Sequence, residues 1–320
     1  MKRAQTLLFI IAVITVSVVA AGLLGQTSND HASEVKVRVV VTKDYGAELI
    51  LDREVEMTKG ATVIDALREV AKVETAYGGG FVNAINDIRS EYTGTGVAKR
   101  DWFIYINGVL ADVGGADYRV EDDTTTWWDF HDWDFHTFIT AAVGLFPEPF
   151  LHGYKGKVCE TIIIYEDELL DEAMLLNSTL TECGVRGVSI LKASELSRED
   201  RESPNLIILG TIKSPLISEL NGIYQQLGFY IHYEGDRMLV LNSSGELAAE
   251  YSTGGMIQAT QNPWNPKGTM AGESVVWVLS GINEDDVNDV VEVLISSREE
   301  LAHAFAATVV EGQVSRVPPC

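Results

Sequence analysis

Val35, Val37, Val39 and Val41 alternate with Lys36 and Arg38, the two-residue period of a strand with one buried face. A turn at Asp44-Tyr45-Gly46 and a second strand over residues 49–57 complete a hairpin. Thr62 then caps a helix, with Asp65 placed to answer the cap. Val63, Ile64, Leu67, Val70 and Ala71 supply its apolar face. Gly78, Gly79 and Gly80 break the chain, an apolar stretch follows at 81–85, and Gly94 and Gly96 mark a loop. Residues 102–110 predict a tight hairpin, because Asn107-Gly108 supplies the two positive φ values of a type I′ turn. Residues 124–131 form a closing strand. One helix over one mostly antiparallel sheet accounts for residues 34–133.

Residues 134–157 read as a linker, with Phe146 and Phe150 packed on a neighbouring domain. The style then changes. Strands are predicted at 161–165, 188–191, 205–210, 229–232, 238–241 and 274–279. Helices are predicted at 168–183, 215–227, 285–295 and 299–307, the second led by Pro215. Such alternation predicts a three-layer α/β domain over 158–312 with a mostly parallel sheet, and a tail at 313–320. The fold class is thus α+β followed by α/β.

Residues 1–27 set the compartment. Lys2 and Arg3 precede an uncharged apolar run over residues 7–24, with small residues at Ala20-Ala21-Gly22. This is a secretory signal peptide or an uncleaved N-terminal membrane anchor; in either case the remainder faces outward. The expected location is extracytoplasmic, membrane-anchored or secreted. The net charge of -23, from 47 acidic and 24 basic residues, repels phosphate backbones and argues against nucleic acid as a partner. Among three cysteines, Cys159 opens a strand and Cys183 ends the following helix. The start of that strand and the end of that helix share an edge, so a Cys159–Cys183 disulfide is within reach. Cys320 is left free or pairs between chains.

Five motifs occur in order: Gly60-Ala-Thr-Val-Ile-Asp-Ala-Leu67, Gly79-Gly-Phe-Val-Asn-Ala-Ile85, Trp102-Phe-Ile-Tyr-Ile-Asn-Gly108, Gly115-Ala-Asp-Tyr118 and the tryptophan strand ending at Trp133. With them, residues 34–133 resemble the transcobalamin C-terminal domain and its small prokaryotic relatives. The resemblance implies a β-grasp-like fold and a corrinoid, such as cobalamin, as ligand and cofactor. More faintly, about residues 158–310 resemble the C-terminal region of archaeal S-layer proteins. There a strand ending at Gly210, a helix led by Pro215, Gln261-Asn-Pro-Trp-Asn265, and a strand and helix over 275–295 follow in turn. That resemblance implies a cell-envelope setting, with envelope or S-layer proteins as partners.

Two constellations could carry chemistry. Trp102, Tyr105, Trp127 and Trp128 fit either a groove for a flat ligand or sugar, or a small domain's core. Alternation sends Trp127 and Trp128 to opposite faces, so one of them is exposed or lies under the linker or the second domain. Asp132, Asp134 and His136 share a strand face that could hold a divalent cation, or are merely polar residues at a strand exit. The turn at 210–215 lacks the spacing of a nucleotide-binding loop. No nucleophile elbow or acid/base pair stands out. The chain therefore reads as a non-catalytic cell-surface protein that binds a ligand or organises the envelope. The alternatives are a corrinoid-binding or other flat-ligand protein, and an enzyme with its site in the α/β domain.

Overall fold

The computed structural model describes residues 33–92, 98–268 and 270–319. The signal or anchor segment, the Gly94–Gly96 loop and Cys320 lie outside these residues. No helix among the described residues is long and apolar enough to cross a membrane.

The first sheet is built from β1 (Glu34–Lys43), β2 (Glu48–Thr58), β6 (Arg100–Ile106), β7 (Val109–Leu110) and β8 (Thr124–Asp132), in the order β2-β1-β8-β6-β7. β1 and β8 pair in parallel; β8 with β6, and β6 with β7, are antiparallel. Helix α1 (Val63–Val70) crosses one face. Its first turn closes as the sequence predicts: the Asp65 N–H donates to Thr62 Oγ1 at 3.2 Å, and Asp65 Oδ2 accepts from the Thr62 N–H at 2.9 Å. Ile64 and Leu67 are buried against the sheet, each worth roughly 1.5–3 kcal/mol by removal from water. Asn107 and Gly108 both take positive φ at the β6–β7 turn. A small antiparallel sheet of β3 (Val73–Ala76), β4 (Phe81–Ile85) and β5 (Ile88–Arg89) flanks this unit.

The second sheet contains β9 (Thr161–Tyr165), β10 (Val188–Lys192), β11 (Asn205–Thr211), β15 (Gly255–Gln261), β16 (Val275–Gly281), β17 (Ala306–Val310) and β18 (Gln313–Val317). Their order is β10-β9-β11-β16-β15-β17-β18. Helices α2 (Leu170–Glu182) and α5 (Glu284–Ser296) bury Leu176, Leu180, Val287 and Val290 in the cluster that holds Ile207, Trp277 and Leu279 of the sheet. Helix α4 (Pro215–Asn221) packs with Ile208, Val276 and Val278, which lie at alternate positions and so on the other face. There too lies an antiparallel sheet of β12 (Ile231–Glu234), β13 (Arg237–Leu241) and β14 (Leu247–Tyr251). A four-residue helix, α3 (Glu199–Glu202), leads into β11.

Three expectations need correction. The large sheet is mixed rather than mostly parallel, because the pairings of β16 with β15, β15 with β17 and β17 with β18 are antiparallel. The helix expected at 299–307 is one tight 3₁₀ turn, Arg298–Leu301, followed by β17. The tail at 313–320 supplies β18. β15 escapes a hydropathy pattern because its polar residues are buried and paired: Gln258 Nε2 donates to the Ile231 carbonyl at 3.1 Å, and Thr260 bonds Thr140 at 2.9 Å.

Residues 134–157 are part of the core. Ile139, Ala142, Val143, Phe150 and Tyr154 are buried. The Gly144 N–H donates to the Ala304 carbonyl at 2.8 Å, and the Leu110 N–H to the Thr140 carbonyl at 3.0 Å. Phe146 and Phe150 pack on Trp277, ring centres 6.0 and 5.2 Å away. One apolar cluster thus runs from Val37 and Leu67 through Phe150 to Trp277 and Val290, and Val35–Cys320 form one compact unit.

Candidate functional site

Strand β8 carries side chains buried on both faces. Trp128 points to α1, where Gly115 lets it approach: a Cβ on Gly115 would lie 2.9 Å from the indole. Trp127 points the other way, into Tyr105 and Phe305, with ring centres 5.6 and 4.9 Å away. Its Nε1 donates to Thr42 Oγ1 at 2.7 Å. Tyr105 donates its hydroxyl to the Ile139 carbonyl at 3.0 Å, and Trp102 its Nε1 to the Ile88 carbonyl at 3.1 Å. Trp102, Tyr105, Trp127 and Trp128 are all buried. They therefore line no open groove. The physical reason is that the β17 segment and residues 139–145 cover the face that a lone sheet would expose.

The expected cation site is likewise not assembled. β8 ends at Asp132, so the strand alternation that would align Asp134 and His136 stops. Asp134 turns out to Lys99 at 3.1 Å. His136 turns in, and its Nε2 donates to the Phe229 carbonyl at 3.0 Å. No cluster of three or more metal-ligating side chains occurs among the described residues. Cys159 and Cys183 are not bridged. The Cys159 thiol donates to the Glu273 carbonyl at 3.0 Å, while Cys183 Sγ accepts from Arg298 at 3.2 Å, so each is drawn to a different loop.

A buried polar pair that periodicity did not single out lies beneath these aromatics. Asp129 and His131 are nearly inaccessible, with Nδ1 and Oδ1 at 2.7 Å. Asp129 also accepts from the Thr42 hydroxyl and from the backbone N–H groups of Tyr45 and Gly46 at 3.1 and 2.8 Å. His131 is sandwiched between Tyr45 and Phe103, ring centres at 4.6 and 4.2 Å. Burial pushes the Tyr45 and Tyr105 hydroxyls far above their ordinary range, so both stay protonated. With its partners satisfied internally, this network holds β8 to the β1–β2 turn and to Phe305 and presents no reacting group to solvent.

One accessible feature is the turn that joins β3 to β4. Tyr77, Gly78 and Gly79 take φ of 52°, 72° and 95°. Glycine adopts such values freely; tyrosine does so at a cost of about 1–3 kcal/mol. Tyr77 is 88% exposed. It lines an open groove of about 460 Å³ together with Thr62, Ile64, Asp65, Arg68, Thr75 and Ala116. Asp65 is held below the usual carboxylate range by the Thr62 hydroxyl and N–H. Arg68 lies 3.8 Å from Asp65 and donates to Thr75 Oγ1 at 3.5 Å. An aromatic face, a carboxylate and a guanidinium therefore border one cavity. The sequence signal was an aromatic beside three glycines with no apolar partner in period.

The family model described as "Domain of unknown function (DUF4430)" matches residues 60–132, which contain this groove. No curated protein matches the chain. Among solved structures, haptocorrin in complex with Cbi is similar over 32% of this chain at 12% identity and a TM-score of 0.27. The matched part spans 26% of haptocorrin, about a quarter of its length. A protein from Ruminococcus gnavus described as a "putative metal binding protein" is similar over 31% of this chain and 97% of its own, at 14% identity and a TM-score of 0.24.

Proposed function

We propose that this chain is a non-catalytic, extracytoplasmic binding protein that takes a flat ligand on the Tyr77 groove. The observation that carries the reading is Tyr77 itself: a tyrosine in a strained left-handed conformation, exposed to solvent where it lines a cavity. Strain of this kind persists where the surrounding structure enforces it, and such positions cluster at ligand sites. A planar ligand would stack on the ring, and Asp65 and Arg68 would orient its polar edge. The resemblance of residues 34–133 to transcobalamin C-terminal domains makes a corrinoid the first ligand to test. The signal-like N-terminus and the S-layer resemblance support a cell-surface setting, with the membrane and envelope proteins as neighbours.

Absorbance titration of the purified chain with cobinamide and cobalamin tests the proposal. The expected result is saturable binding with a shifted corrin spectrum, weakened in Tyr77→Ala.

A further inference from the structure

A second groove lies in the other half of the chain, far from α1 in sequence and built from different chemistry. It holds about 250 Å³ and is lined by Arg198, Arg201, Glu202 and Trp264. Helix α3 with the residue before it and the loop after β15 line it, and helix α4 braces both through Glu219. The parts are fixed to one another. Trp264 Nε1 donates to Glu219 Oε1 at 2.8 Å, and Arg201 donates to Glu219 Oε2 at 3.2 Å. The Arg201 guanidinium lies 5.5 Å from the Trp264 ring centre. Asn262 joins the loop to α3, its Nδ2 donating to the Arg201 carbonyl at 2.7 Å and its Oδ1 accepting from the Trp264 N–H at 2.9 Å. Arg198, 90% exposed, donates to Glu202 at 2.8 Å across the mouth.

The charges decide what such a groove can hold. Each guanidinium of the lining is already paired with a carboxylate, Arg198 with Glu202 in the groove and Arg201 with Glu219 beside it, so the two pairs cancel on a chain whose net charge is -23. A phosphate or carboxylate ligand would have to displace Glu202 or Glu219 from its arginine; a cation would meet both arginines. An uncharged polyhydroxy ligand meets neither conflict. Each hydroxyl can donate to a carboxylate and accept from a guanidinium at once. The half-buried indole offers an apolar surface of the kind that the C–H face of a sugar ring covers. The volume sits just below the roughly 300–1,000 Å³ of typical ligand pockets, so it suits one ring of a longer chain. Because the indole and Arg201 are already held, little side-chain ordering remains to oppose binding.

We infer that the Trp264–Arg198 groove binds a neutral saccharide. The inference does not rest on the Tyr77 groove, and Tyr77→Ala should leave it intact.

The test is calorimetric titration of the whole purified chain with neutral tetrasaccharides of glucose, mannose, galactose and N-acetylglucosamine, beside oligogalacturonate and an oligoglutamate peptide as acidic probes. At least one neutral tetrasaccharide should bind saturably. Its affinity should change less than about twofold between roughly 50 and 500 mM NaCl, since no net charge is exchanged. Trp264→Ala and Arg198→Ala should each weaken it by roughly tenfold or more. The Arg198 side chain is 90% exposed and pairs with Glu202 of helix α3, so its variant keeps the test sharp if loss of Trp264 disturbs the loop. The inference is overturned if no neutral saccharide binds, if Arg198→Ala leaves binding unchanged, or if only the acidic probes bind and salt abolishes it.

Discussion

Asp129 and His131 hydrogen-bond at 2.7 Å on the same face of β8, and neither reaches solvent. Two residues apart on a strand, they point the same way. The carboxylate accepts in addition from Thr42, Tyr45 and Gly46, which ties β8 to the β1–β2 turn. The imidazole lies in an aromatic stack that reaches Phe305, from the segment entering β17. The pair therefore joins the first sheet to the second through a polar centre that has to be complete.

Asp129→Asn should be strongly destabilising. It places an amide N–H₂ among donors and leaves at least one of them unpaired. Breaking a buried pair in this way costs about 3–5 kcal/mol. Urea unfolding followed by tryptophan fluorescence should show a lower midpoint with little change in slope. An unchanged midpoint would remove the network from the account of stability.

Stability should fall on acidification because of two histidines. Burial holds His136 and His303 below their ordinary 6.5. For His303, Arg38 and Arg316 add to the effect, while Asp52 and Asp129 oppose it. The unfolded chain then takes up protons first as pH drops below about 6.5. Their contribution is complete above that value and is lost as pH falls toward the native values. Glu148 and Asp101 are raised by burial and contribute with the opposite sign, losing stability as pH rises through their native values. Comparison with His136→Gln/His303→Asn isolates the histidines: that variant should lose less stability between about pH 7 and pH 5 than the parent. Equal slopes would contradict it.

The cysteines should behave as separate thiols. Cys159 is buried, with its thiol pushed up by burial, whereas Cys183 is half-exposed. In a Cys320→Ser background, a thiol reagent at neutral pH should label Cys183 in the native protein and Cys159 only on unfolding. Mass spectrometry of the non-reduced chain should find both free. A linked peptide pair would overturn the assignment.

Much of this architecture was legible where one face of an element is buried and the other wet. The valines of β1, the Thr62–Asp65 cap and the Asn107-Gly108 turn all occur as expected. Legibility failed where both faces are buried. Val40, Tyr105 and Trp127 are covered by residues from 139–145 and by Phe305, a contact that no local period encodes. The same cover turned an apparent aromatic groove into core. In β15, buried glutamines and threonines read as loop because their hydrogen-bond partners lie on distant strands. Tyr77 was hidden for the converse reason: its signal is backbone strain and exposure, which residue types alone express only as nearby glycines.

The central claim is that Tyr77 lines a ligand site. Isothermal titration of cobinamide into the parent chain, Tyr77→Ala and Tyr77→Phe tests it most directly. The account predicts saturable heat with the parent, near-parent affinity with Tyr77→Phe, and a loss of roughly tenfold or more with Tyr77→Ala, about 1.4 kcal/mol. The tyrosine is exposed, so the variants should unfold at about the same urea concentration as the parent. Absence of heat with the parent, or equal affinity in all three, would contradict it.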